Sequence, residues 1–80
     1  MKTVQFDGQT FEYDERAPKR WSVQKALALG ESDPAGFYGA LDKIFAGRSD
    51  EYAERLGDDS ERMLALLDAV SKAVGAKAKN

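Results

Sequence analysis

Eighty residues leave room for one small core and no second domain. The absence of cysteine and histidine removes disulfides, thiolate chemistry, the commonest metal ligand and the commonest general base. Twelve basic against fourteen acidic residues leave a net charge of −2, so no overall field draws the chain to nucleic acid.

The first predicted element is a hairpin. Residues 2–13 read KTVQFDGQTFEY, with Asp7-Gly8 between two alternating runs, the strongest short-range mark of a two-residue turn. With those two residues as the loop, Phe6 faces Gln9, Val4 faces Phe11 and Lys2 faces Tyr13. Val4, Phe6, Phe11 and Tyr13 then share one face, and Thr3, Gln5, Thr10 and Glu12 the other. A slip of one residue breaks the pattern. A lone hairpin is barely stable in water, so its aromatic face is expected to lie on the helices.

Asp14 to Pro18 reads as a polar connection, with Pro18 suited to the first turn of a helix. That helix is expected to run to Leu29, with Gly30 as its stop. Its start has two readings: at Pro18, or after Trp21 with Ser22 as N-cap and the indole stapled over Ala26. Asp33-Pro34 is a sharper start, as N-cap and first helical residue. From there Phe37, Tyr38, Leu41, Ile44 and Phe45 share an apolar face opposite Gly36, Gly39 and Lys43. The two glycines each cost up to about 1 kcal/mol of helix propensity, so tertiary packing must hold this helix. Gly47 is expected to end it.

Ser49 can cap a short helix over 50–56, ended by Gly57, with acidic residues in its first turn as the helix dipole prefers. The last helix, over 58–74, carries the clearest pattern. At about 100° per residue Met63, Leu66, Leu67, Val70 and Val74 form one stripe, with Leu64 at its flank. Asp58 and Glu61 have capping-box spacing, and Gly75 is placed to stop the helix. The cationic tail at 76–80 is expected to fray. The expected fold is α+β and mostly α: one domain over 1–80, with a hairpin at 2–13 and a bundle of about four helices within 18–75. No apolar run approaches about 18 residues and no signal-peptide pattern is present, so a soluble cytoplasmic protein without a membrane span is expected.

Candidate chemistry is sparse. Asp58, Asp59 and Glu61 suggest a cation site or a carboxylate pair, but calcium-loop spacing is missing and helix capping accounts for them. Lys19, Arg20 and Lys25 around Trp21 have the outline of a single-strand nucleic-acid platform, set against solvated lysines beside a core Trp. The helix pair around Gly57 has a helix-turn-helix outline, yet its second helix opens with acidic residues that repel phosphate. Of Phe37, Tyr38, Phe45 and Tyr52 most are expected in the core, set against a partner groove marked by Tyr38, Tyr52 and Leu56 as a surplus beyond what four small helices hide.

The order of a hairpin, a Trp-containing segment, the phrase LDKIFAGRSDEYAERLG over 41–57 and a closing helix ending in Lys77, Lys79 and Asn80 resembles the tail assembly chaperones of long-tailed bacteriophages and their prophages. The resemblance implies a non-enzymatic protein without cofactor or metal in the host cytoplasm. Its implied partner is the helical tape-measure protein, and a longer frameshifted form is often made. Under that reading the groove near Tyr38, Tyr52 and Leu56 takes a partner helix, with Trp21 a further contact candidate. The rivals are a small DNA-binding regulator and an inhibitor or antitoxin-like protein. An enzyme ranks last, because Asp, Glu, Lys and Tyr would have to act alone. The hairpin's open edge also allows pairing with a second copy.

Overall fold

The structure, a computed structural model that describes residues 1–75, begins with the predicted hairpin. Strands β1 (Lys2–Phe6) and β2 (Gln9–Tyr13) pair antiparallel with Phe6 opposite Gln9, Val4 opposite Phe11 and Lys2 opposite Tyr13. Asp7 and Gly8 both adopt positive φ, 55° and 71°, as a two-residue turn matched to strand twist demands. Four α-helices follow: α1 (Trp21–Ala28), α2 (Pro34–Ile44), α3 (Ser49–Arg55) and α4 (Ser60–Gly75). The predicted class, a hairpin followed by four helices with one short, is the fold observed.

The core joins the hairpin's apolar face to α2, α3 and α4. Phe11, Ile44, Phe45, Tyr52, Leu56, Leu66 and Val70 are fully buried, and Val4 and Phe6 pack against them from β1. The stripe of α4 is the predicted one, with Met63, Leu66, Val70 and Val74 buried and Leu67 packed beside them. On its far side Asp68 and Lys72 form an i,i+4 ion pair at 3.2 Å.

Short α3 lies along the outer edge of β2. The Tyr52 hydroxyl donates to the Glu12 carbonyl at 2.9 Å and accepts from the Glu12 N–H at 3.1 Å. Arg55 donates to the Thr10 carbonyl at 2.9 Å, its guanidinium 4.2 Å from the Phe11 ring centroid. These are the β2 backbone groups that point away from β1, so the helix satisfies an edge the hairpin alone would leave bare. Arg48 adds an ion pair to Glu12 at 2.9 Å, and Arg62 of α4 ties to Asp7 at the turn. Past β2, the Asp14 N–H donates to the Ile44 carbonyl at 2.8 Å. The Asp14 carboxylate accepts from the Arg16 N–H at 2.9 Å, and that bond holds its pKa below the ordinary 3.8.

Several boundaries differ from expectation by a residue or a turn. Pro18 lies in a separate 3₁₀ turn, Ala17–Lys19, and Arg20 is extended (ψ 140°) before α1 starts at Trp21. Neither expected start is therefore the real one, and Trp21 is 78% exposed, where a core indole was the simpler expectation. Helix α3 begins at Ser49, with Arg48 in the cap position; the Ser49 hydroxyl bonds Asp42 instead of capping. The left-handed stop after α2 starts one residue early, at Ala46 (φ 55°), with Gly47 (φ 82°) following. The Gly47 N–H reaches back to the Asp42 carbonyl at 2.7 Å, as in a Schellman ending.

The same ending closes α3 and shifts the cap of α4. The Asp58 N–H bonds the Ala53 carbonyl at 2.7 Å, with Gly57 and Asp58 both left-handed. Asp58 is thus consumed in ending α3, and Asp59 caps α4 by accepting the Glu61 N–H at 2.9 Å. The tail at 76–80, expected to fray, lies outside the described residues. Among those residues no helix is long and apolar enough to cross a membrane.

Candidate functional site

The surface expected to be a groove exists, with a different lining. Tyr52 is 1% exposed and Leu56 fully buried. Both are corrected from surface to core because α3 turns its apolar side onto the hairpin edge. Tyr52 packs edge-on to Phe11 at 4.9 Å and to Phe45 at 5.4 Å, and its hydroxyl is held by Glu12. Tyr38 is the member of that trio left outside, 64% exposed and edge-on to Phe37 with ring centroids 5.7 Å apart.

Tyr38 stands on the wall of an open groove of about 1100 Å³ between the α1–α2 corner and the start of α4. Leu27, Phe37, Leu41, Ala53 and Met63 contribute its apolar lining. Leu64, the residue flanking the α4 stripe, stands beside them and is 48% exposed. The α4 stripe is wider than its neighbours cover, and the uncovered part faces this groove.

Its other lining is acidic. Glu31, Asp42, Asp50, Asp58 and Asp59 contribute five carboxylates, and among the described residues no Lys or Arg lines the groove. Local folding explains why they gather here. Asp50 stands in the first turn of α3 and Asp59 at the cap of α4, where carboxylates complement helix N-termini, and Asp58 closes α3 one residue before that cap. No three acidic side chains among the described residues are grouped to hold a metal ion.

Trp21 is not part of this site. It opens α1, while Leu27 and Ala28 at the other end of that helix line the groove. Lys19, Arg20 and Lys25 are exposed around it, and no cation rests over the indole among the described contacts. Leu64 and Gly39, absent from the predicted site, had signals in the sequence. Leu64 flanked the stripe, and Gly39 weakened a helix without an evident turn to make.

No family model matches this chain, and no curated protein or solved structure matches it either.

Proposed function

We propose that this chain is a non-enzymatic protein-binding module working as the tail assembly chaperones it resembles work, by engaging a tape-measure-like helical protein in the host cytoplasm. The observation that carries the binding part is the groove, where exposed Tyr38 and Leu64 flank an apolar floor. Apolar side chains gathered on a concave floor with a few polar groups at the rim are the usual make-up of a binding cleft, and a concave apolar strip suits a helix laid along it. The chaperone part rests on the order of elements and the phrase at 41–57.

The test is affinity capture of the tagged chain from its native source, beside a Tyr38→Ser/Leu64→Ser variant. Both side chains are largely exposed, so the variant should keep the wild-type circular dichroism. Recovery of one very long helical partner by the wild type and its loss from the folded variant supports the reading. Equal recovery by both removes the groove from it, and recovery of an unrelated host protein promotes the inhibitor alternative.

A DNA-binding regulator stays as the second reading because Trp21 is exposed among three cations. A salt-sensitive shift of DNA that disappears with Trp21→Ala would favour it.

A further inference from the structure

We infer that the groove accepts a short amphipathic helix whose apolar stripe is flanked by lysine or arginine. The inference rests on the protein-binding reading and names the chemistry of the occupant. Charge argues first. The chain as a whole carries only −2, yet five of its carboxylates line this groove with no described cation among them. Outside the groove the described residues carry nine carboxylates against ten lysines and arginines, close to neutral, so the excess negative charge is concentrated at the groove. Helix N-termini oppose this, because α2, α3 and α4 all begin at the groove. Each acts as about half a positive charge, so together they offset at most about 1.5 of the five negative ones. The field stays acidic, and it selects a cationic rim on the occupant.

Size argues second. A helix about 10 Å across fills about 1100 Å³ over roughly 14 Å, or about nine residues. A single side chain such as an indole from a second copy would leave most of that space empty.

Gly39 argues third. It lies in the middle of α2 and lines the groove, and a Cβ built there meets nothing within 4 Å. The other helical glycine of α2 has an internal reason, since a Cβ on Gly36 would press on Asp33 Oδ2 at 2.5 Å. The molecule's own packing does not ask for glycine at 39. A backbone passing close over α2 does.

The test uses the labelled full chain and two synthetic helical peptides with the same leucine stripe, one with lysine flanks and one with glutamate flanks. The lysine peptide is expected to shift the amide signals of Tyr38, Gly39 and Leu64 and to saturate. The glutamate peptide should bind about tenfold more weakly or worse. Glu31→Gln with Asp50→Asn should weaken the lysine peptide about threefold to tenfold, and added salt should weaken it further. Gly39→Gln should remove binding in a protein that melts no lower than the wild type.

Equal affinity for the two peptides overturns the inference, as do shifts confined to the Trp21 end of α1 or no binding at all. A peptide-free dimer in sedimentation that Gly39→Gln dissociates would assign the groove to a second copy and overturn it as well. The peptide result and the capture result fail separately. A captured partner unrelated to tails leaves the groove chemistry standing if a basic helix of that partner occupies it. A tape-measure-like partner held elsewhere leaves the chaperone reading standing without it.

Discussion

Gly39→Ala separates what α2 needs for folding from what its surface is shaped to receive. In the middle of an exposed helix face, glycine is about 1 kcal/mol less favourable than alanine. The new Cβ would meet no atom within 4 Å, so neither a clash nor a packing gain enters, and the propensity difference should appear undiminished. The expected result is a stabilisation of about 1 kcal/mol, a rise in Tm of roughly 4–8 °C for a domain of this size. Urea unfolding followed by circular dichroism would measure it, with an unchanged m-value as the sign that both end states keep their exposure. Gly36→Ala is the internal control. Its Cβ would press on the Asp33 carboxylate that accepts the Gly36 N–H at 3.2 Å, and losing that cap costs about 1 kcal/mol. Propensity gain and cap loss should roughly cancel, leaving Gly36→Ala without the benefit seen at 39. A Gly39→Ala protein no more stable than wild type would refute the reasoning, because it would mean that glycine there serves the fold.

Tyr52→Phe should cost about 1–3 kcal/mol by thermal or urea unfolding, since it strips both hydrogen bonds from the part-buried Glu12 backbone and leaves the ring packing in place. Ala46→Gly should stabilise by up to about 1 kcal/mol, because a left-handed residue strains alanine by about 1–2 kcal/mol and glycine returns part of that as unfolded-state entropy. Asp14 has a folded pKa below its ordinary 3.8. Its stabilisation is complete above that value and disappears as pH falls through the lower folded pKa, so thermal melts of Asp14→Asn should lose less Tm than wild type between mildly acidic and strongly acidic buffer. Arg55→Lys should destabilise despite keeping the charge, since lysine cannot at once reach Gln9 Oε1 and the Thr10 carbonyl and lie flat on Phe11.

Local chemistry alone determined the hairpin and the existence of the helices. Asp7-Gly8 and the flanking alternation specify the register, because one face of a strand must be apolar and a shift of one residue inverts it. Asp33-Pro34 marks the start of α2 because a carboxylate and a missing N–H suit the first turn. The α4 stripe likewise needs no partner to be read. Where one helix ends and the next begins was only half legible, since Asp58 could cap α4 or close α3, and the backbone path from α3 decided for closure.

Tertiary structure decided burial. Tyr38 and Tyr52 are both tyrosines in amphipathic segments, and nothing local separates them. Tyr52 is inside because β2 presents unpaired backbone groups at its outer edge, and a hydroxyl on a short helix can satisfy an N–H and a carbonyl at once. Tyr38 is outside because α2 spends Ala40, Leu41 and Ile44 on the core and has no neighbour left for its other side. The five groove carboxylates are scattered over 31–59 in the sequence, where each reads as a cap or a solvated charge. Only the approach of the α1–α2 corner to the start of α4 brings them around one apolar floor.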